Sequence, residues 1–167
     1  MARVYLGLGS NIERERYIGA GLDALERLFG ELDLSPVYDC HAMGFSGQPF
    51  LNLVAGVNTE LGVGELAAQL RQVEKEHGRP DNARRNSSRR LDIDILTYDQ
   101  LNGTVEGVEL PRAEILYHAF VLRPLADLVP EECHPALGKT YSALWAAFDQ
   151  SSQSLERISF LWRGRTL

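Results

Sequence analysis

The chain has 167 residues, a length that suits one domain with its own hydrophobic core. Hydrophobic residues make up 44% and charged residues 24%, which is ordinary globular composition and argues against a disordered or fibrous protein. The formal net charge of -6 disfavours general nucleic-acid binding. No apolar run approaches the roughly 20 residues needed to cross a bilayer, so neither nucleic acid nor a membrane is an expected partner.

The opening residues run directly into a strand pattern, so we expect no signal peptide. Cys40 and Cys133 lack the spacing of metal ligands, and we expect both to be free thiols in the reducing cytoplasm, although the sequence does not exclude a bridge.

The first 98 residues predict four strands and two helices in the order β-α-β-β-α-β. Strands are indicated by alternating or apolar runs, and helices by apolar residues at three- and four-residue spacing. The strands are predicted at residues 3–9, 32–40, 50–59 and 90–98, and the helices at 14–29 and 64–77. This order resembles a ferredoxin-like sandwich, an α+β fold whose mostly antiparallel sheet carries helices on one face.

The residues after 98 predict a C-terminal extension of the same domain, which we expect to span residues 1–167. A short strand is predicted within 105–110, a helix within 111–129 that Pro124 interrupts or starts, and a short helix at 141–149. Residues 150–156 have the composition of a polar linker, and residues 159–167 are expected to form a mobile tail.

The predicted strand at 90–98 carries the most distinctive pattern in the chain. Asp92 and Asp94 alternate with Ile93 and Ile95, so the carboxylates share one face if the isoleucines pack on the core. Two neighbouring carboxylates repel each other unless a cation lies between them. Magnesium is one such cation, because it binds one or two carboxylates together with substrate phosphates.

Five arginines between residues 79 and 90 precede these carboxylates. Guanidinium groups bind phosphate oxygens in bidentate fashion, so the arginines suit the phosphate half of a metal–phosphate site. A solvated strand edge, or ion pairs of the aspartates with Arg89 and Arg90, would give the same spacing. Asn52 likewise has two interpretations: a side chain that satisfies backbone at a strand end, or an amide that binds the edge of a heterocycle.

The stretch at 85–96 resembles the signature of the 6-hydroxymethyl-7,8-dihydropterin pyrophosphokinase family. The likeness rests on the pattern Arg-x-x-x-Arg-x-x-Asp-Ile-Asp-Ile-Leu. Further segments resemble the family in the same order and spacing, namely residues 5–11, 50–52, Glu74 with the following Gly78-Arg79, and 119–125. Each segment is short, but together they extend over most of the chain.

The resemblance implies transfer of the β,γ-pyrophosphoryl group of ATP to the hydroxymethyl oxygen of 6-hydroxymethyl-7,8-dihydropterin, with release of AMP in folate biosynthesis. It implies two magnesium ions as cofactors, held by Asp92 and Asp94. The residues it implies on the phosphate side are the catalytic Arg79 and Arg89, together with Arg85, Arg112 and Ile95 as further ATP contacts.

On the pterin side, the resemblance implies that Asn52 bonds the ring edge and that Phe120, with Phe50, sandwiches the ring. Met43 and Gly44 fall where a loop closes over the pterin, and Glu74 would support the site from its helix. The expected partners are these two small substrates, and the expected state is a monomer in the cytoplasm.

Two departures from the family pattern leave a second function open. Asn86-Ser87-Ser88 stands where many members carry Trp-Gly-Pro, and Asp81 stands where some carry arginine. These differences suit a non-catalytic paralogue that binds a nucleotide or pterin for regulation. A ferredoxin-like nucleic-acid binder is a third class, but it requires surface aromatics on a broad basic face, and this chain is acidic.

Overall fold

The computed structural model describes residues 1–40, 49–78 and 90–167, and these build one main antiparallel sheet with helices packed on both faces. The strands are β1 (Ala2–Ser10), β2 (Asp33–Leu34), β3 (Val37–Cys40), β4 (Phe50–Thr59), β5 (Asp92–Tyr98), β6 (Gly103–Val105), β7 (Val108–Leu110), β8 (Leu155–Ile158), β9 (Leu161–Trp162) and β10 (Arg165–Thr166). The helices are α1 (Arg14–Phe29), α2 (Val63–Glu76), α3 (Ala119–Leu128) and α4 (Tyr141–Ala147), with a 3-10 turn at Ala113–Leu116.

The main sheet has the strand order β5-β1-β4-β3-β8, and β2 pairs with β4 beside β3. Strand β1 lies between β4 and β5 and is antiparallel to both. This strand order, together with the helices α1 and α2 that connect the strands, confirms the predicted α+β, ferredoxin-like fold. The strand predicted at 32–40 is divided into β2 and β3, because Pro36 has no N–H for a sheet hydrogen bond. At this break the Ser35 hydroxyl accepts the Val54 N–H at 2.8 Å.

Helices α1 and α2 cover one face of the sheet. The prediction for α1 is confirmed at both ends, and that for α2 within one residue. Gly30 adopts a positive φ of 79° after α1, and its N–H bonds the Glu26 carbonyl at 2.8 Å. The apolar stripes of both helices pack on Leu6, Leu8 and their neighbours. Among the described residues, every helix is too short or too polar to span a bilayer.

The opposite face of the sheet is covered by α3 and α4, so the expectation of helices on one face only is incomplete. Tyr5, Val54 and Leu96 project from the sheet on this side and form a second core with α3 and α4. Pro124 lies inside α3 and is buried, so it neither starts nor ends that helix. Burial of the helix against the sheet offsets the hydrogen bond that proline cannot donate.

The C-terminal residues are integrated into the fold. Strand β8 pairs with β3, so the linker predicted at 150–156 is wrong at its end, where Leu155 and Glu156 begin a strand. Phe160 and Trp162, expected in a mobile tail, are buried in the core, where apolar burial is favourable. The Trp162 indole N–H also donates to Asp23 of α1 at 2.9 Å.

Candidate functional site

The candidate site is built on β1, where Gly7 and Gly9 present only hydrogen atoms. Gly9 pairs with Asn52 on β4 and with Asp92 on β5, and Gly7 pairs with Asp94. Residues directly opposite each other in an antiparallel ladder project from the same face. A strip without side chains therefore separates an amide on one side from two carboxylates on the other.

Above this strip lies a cavity of about 820 Å³, on the face of the sheet that α3 covers. Its walls come from α2, the β6–β7 hairpin, the 3-10 turn and the start of α3. This volume lies within the range of about 300–1,000 Å³ that is typical of ligand sites. The structure brings the following predicted site residues together as its lining: Asn52, Asp92, Asp94, Ile95, Arg112 and Phe120.

Among the predicted site residues that the structure describes, Phe50 and Glu74 are not part of the lining. Phe50 stands two residues before Asn52 on β4, so it shares that face of the strand and lies at the edge of the site. A methyl group added at Gly9 would lie 3.5 Å from the Phe50 ring. Met43, Gly44, Arg79, Arg85 and Arg89 lie outside the described residues.

The acidic pair on β5 has the arrangement that its alternation predicts. Ile93 and Ile95 are 0% and 5% exposed in the core, and the two aspartates border the cavity. The Asp94 Oδ1 atom lies 3.8 Å from Nη2 of Arg71 and 3.8 Å from Nη2 of Arg112. Burial and the adjacent Asp92 carboxylate raise the pKa of Asp94, and the two guanidinium groups only partly offset this. The site therefore favours an additional cation.

The donor set fits magnesium that arrives with a phosphate ligand. Asp92 and Asp94 offer carboxylate oxygens, the ligand type that magnesium prefers. Within the described ranges, no group of three or more His, Cys, Asp or Glu side chains is placed to hold a metal ion. Magnesium commonly binds one or two carboxylates and leaves its remaining positions to phosphates and water. The two aspartates therefore suffice if the substrate supplies the other ligands.

Glu74 is not part of the cavity lining and acts from helix α2. It is 1% exposed and accepts the Ile93 N–H at 2.7 Å from the helix side of β5. It also pairs with Nη1 of Arg71 at 2.8 Å. Because Ile93 lies between the two aspartates, Glu74 fixes the strand segment that carries them.

Arg71 is a site residue that sequence reasoning missed. It borders the cavity, faces Asp94 and donates a hydrogen bond to the Ile93 carbonyl. The available signal was its spacing from Glu74, since oppositely charged residues three apart on a helix are neighbours. Nothing in the sequence indicated that this pair lies beside β5, because that contact depends on how α2 packs.

Replacing Glu74 with alanine is expected to lower the free energy of unfolding by about 1–3 kcal/mol, because the buried Ile93 N–H loses its acceptor. Urea denaturation of the purified variant measures this change. Glu76→Ala, at an exposed position near the end of α2, is the matched control and is expected to stay within about 0.5 kcal/mol of the parent. Equal stability of both variants would show that Glu74 does not support the strand.

Asn52 lies on the opposite side of the glycine strip, with its amide held by Cys40. The side chain is 8% exposed, and Nδ2 donates to the Cys40 sulfur at 3.0 Å. Burial raises the pKa of the Cys40 thiol to about 12, so the thiol stays protonated at neutral pH, with the Tyr38 carbonyl 3.6 Å from its sulfur. The carboxamide has two N–H donors and a carbonyl. Among the hydrogen bonds of the described residues, one N–H and the carbonyl oxygen of this amide have no partner, which leaves them available to a ligand.

Two aromatic rings at the start of α3 form a wall of the same cavity. The rings of His118 and Phe120 stack with centroids 4.8 Å apart and an interplanar angle of 16°. Both residues line the cavity at the start of α3. His118 is thus part of the wall. A flat aromatic surface in the same cavity as a buried amide suits a planar heterocycle.

Comparison with known proteins identifies similar chains. The family model for 7,8-dihydro-6-hydroxymethylpterin-pyrophosphokinase matches residues 5–130. A protein from Aquifex aeolicus named 2-amino-4-hydroxy-6-hydroxymethyldihydropteridine pyrophosphokinase is 36% identical over 141 residues, which are 83% of this chain and 88% of that protein. A Pseudomonas aeruginosa protein of the same name is 39% identical over 133 residues, or 77% and 82% of the two chains. These names give no support to the non-catalytic alternative.

The fold is also found in a solved structure. The crystal structure of wild-type Plasmodium falciparum HPPK-DHPS aligns with a TM-score of 0.71 and 13% sequence identity, covering 99% of this chain. The present chain spans 50% of the length of that solved chain. At this identity the likeness concerns the fold, and it agrees with the strand order described above.

Proposed function

The chain belongs to the 7,8-dihydro-6-hydroxymethylpterin-pyrophosphokinase family, and we propose that it transfers the pyrophosphoryl group of ATP to 6-hydroxymethyl-7,8-dihydropterin. The bond between the β-phosphorus and the oxygen bridging to the α-phosphate breaks, and AMP leaves. A bond forms between the β-phosphorus and the hydroxymethyl oxygen, whose proton is released. The pterin diphosphate is then available to folate biosynthesis.

The observation that carries this proposal is the division of one cavity into two chemically different halves. Asp92, Asp94 and Arg112 provide charged groups on one side, whereas Asn52 and Phe120 provide an amide and a flat ring on the other. The glycine strip between them allows two substrates to approach each other without intervening side chains. Catalysis of phosphoryl transfer rests mainly on positioning and charge stabilisation, so a strong nucleophile on the protein is not required.

On the charged side, we propose that Asp92 and Asp94 hold two magnesium ions that arrive with ATP. Magnesium, when bound, neutralises charge that develops on the phosphate oxygens. The guanidinium group of Arg112 stands on the same side of the cavity and is suited to bind the nucleotide phosphates. Arg79, Arg85 and Arg89 are proposed as further phosphate ligands on the strength of the family resemblance.

On the amide side, we propose that Asn52 binds the polar edge of the pterin ring. Its remaining N–H and carbonyl form an adjacent donor and acceptor, which match the mixed donor and acceptor edge of a pterin. Phe120 covers the ring face, with Phe50 at the edge of the site. Met43 and Gly44 are proposed as parts of the loop that closes over the ring. Both halves of the cavity come from one chain, which supports action as a monomer. We also propose that the enzyme acts in the cytoplasm.

Gly9→Ala is expected to weaken pterin binding by about ten-fold or more, because an added methyl carbon would lie 2.7 Å from Oδ1 of Asn52 and displace the amide. Titration of pterin fluorescence measures the change in Kd. Gly19→Ala is the matched control, since a methyl group there meets nothing within 4 Å on helix α1. That variant is expected to keep the Kd and to gain about 0.5–1 kcal/mol of stability. Unchanged binding by Gly9→Ala would remove Asn52 from the pterin site.

The reaction itself is tested by incubating the protein with ATP, magnesium and 6-hydroxymethyl-7,8-dihydropterin and following AMP in a coupled assay. One AMP is expected for each pterin diphosphate, and none when pterin is omitted or EDTA is added. No AMP at high enzyme concentration with magnesium present would refute the proposed activity. Formation of ADP in place of AMP would show transfer of a single phosphoryl group and would refute it equally.

A further inference from the structure

The aromatic wall of the cavity is held by a residue far from it in sequence. The Gln153 side chain accepts the Ala119 N–H through Oε1 at 2.8 Å and donates through Nε2 to the Tyr117 carbonyl at 2.8 Å. These two backbone groups flank His118, the residue that precedes α3. Residue 153 lies outside residues 5–130, where the family model matches. The wall is therefore braced by a part of the chain that the family pattern does not include.

Gln153 supplies a hydrogen bond that the first turn of α3 does not obtain from the residues of the helix itself. The first N–H groups of a helix have no partner within it, and His118 provides no side-chain cap for α3. Gln153 satisfies one of these groups, the Ala119 N–H. At the same time it fixes the preceding carbonyl of Tyr117. The backbone on both sides of His118 is thus held by a single planar amide.

Gln153 is itself anchored on both sides. Before it, Asp149 closes a turn by accepting the Ser151 hydroxyl at 2.7 Å and, through its carbonyl, the Ser152 hydroxyl at 2.8 Å. After it, β8 begins at Leu155, which pairs with Cys40 on β3. Since Cys40 holds the amide of Asn52, the segment at 149–158 is joined to both the aromatic and the amide sides of the cavity.

We infer that Gln153 is a positioning residue that holds His118 and Phe120 where the pterin ring binds; the inference rests on the proposed function. Loss of the two Gln153 hydrogen bonds frees the start of α3, and the two stacked rings are then no longer held at a fixed distance from Asn52. The aspartates on β5 and Arg112 make no contact with Gln153 among the hydrogen bonds of the described residues. Pterin affinity is therefore affected more than ATP affinity.

The test uses Gln153→Met, which keeps the length of the side chain without its hydrogen bonds, and Gln153→Ala. Binding of 6-hydroxymethylpterin is measured by fluorescence titration, and KM values for both substrates are measured by AMP release. Both variants are expected to raise the pterin Kd and KM about ten-fold, because two hydrogen bonds to the wall are lost. The KM for ATP is expected to stay within about two-fold.

Gln150→Ala is the matched control. Gln150 lies in the same segment and donates to the Trp145 carbonyl at 3.1 Å, away from the cavity wall. It is expected to behave as the parent in both assays. An unchanged pterin Kd in Gln153→Met and Gln153→Ala, or an equal loss of affinity for both substrates, would overturn the inference.

If the parent binds the pterin but releases no AMP, the proposed activity fails, and the Kd values still decide the role of Gln153. A parent that binds no pterin would overturn both.

Discussion

Exchange of Asp94 for asparagine will lower kcat by about a thousand-fold or more and leave the fold intact. The amide keeps the size of the side chain but lacks the charge that holds a divalent cation against the phosphates. Metal ions contribute several kcal/mol to stabilising charge in such transition states, and about 4 kcal/mol corresponds to a thousand-fold in rate. Single-turnover measurement of AMP release, with saturating ATP and pterin, isolates this step from product release.

The stability of the same variant provides an independent readout. Burial and Asp92 raise the pKa of Asp94, so the folded chain binds this proton more tightly than the unfolded chain does. The contribution of Asp94 to stability therefore falls as pH rises from its ordinary pKa through the raised value. At neutral pH without ligands, the asparagine variant should melt at the same temperature as the parent or higher.

The metal role of Asp94 also predicts a difference in ligand stabilisation. Magnesium with a non-hydrolysable ATP analogue should raise the Tm of the parent, because it binds only the folded chain, and should raise that of the variant much less. Asp99→Asn, just beyond the end of β5, is the matched control for loss of a carboxylate. Turnover by the Asp94 variant comparable with that of the parent would contradict the metal role.

Replacing Asn52 with alanine will weaken pterin binding by about 5- to 150-fold, because polar groups on the ring lose partners worth about 1–3 kcal/mol in a buried site. The KM for ATP is expected to change by less than about two-fold, since Asn52 lies across the glycine strip from the aspartates. Fluorescence titration with the pterin and steady-state kinetics with each substrate measure the two effects separately.

Asn58→Ala serves as the control for this variant. Asn58 lies on the same strand at an exposed position, so its loss should alter neither substrate. Equal losses of pterin and ATP affinity in the Asn52 variant would argue against the assigned pocket. Loss of pterin affinity in both variants would indicate a general effect of substitutions on β4.

The parts of the fold set by local periodicity were predictable from the sequence. Helix α1 was predicted to the residue because its apolar stripe ends at Gly30, whose positive φ stops the helix. The alternation of Asp92 and Asp94 with two isoleucines likewise predicted which face each side chain occupies. Both features depend on neighbours within a few residues.

The parts that depend on long-range packing were not predictable in this way. Strand β8 is short, and only its pairing with β3 distinguishes it from a linker. The family resemblance implied that Glu74 supports the site, but its contact with the Ile93 N–H depends on how α2 packs over β5. Cys40 gave no signal beyond a lone thiol, although it fixes the amide of Asn52. Gln153 lies in a segment whose polar composition indicated only a linker, and nothing in the sequence indicated its contact with the start of α3.

We propose that one cavity binds magnesium and phosphate at Asp92 and Asp94 and the pterin ring at Asn52 and Phe120. A crystal structure with magnesium, a non-hydrolysable ATP analogue and 6-hydroxymethyl-7,8-dihydropterin tests it most directly. We expect two metal ions bound to the aspartate carboxylates and the phosphates, with Phe120 against the face of the pterin ring and the amide of Asn52 bonded to its polar edge. Metal ions without carboxylate contacts, or a pterin bound outside this cavity, would contradict it.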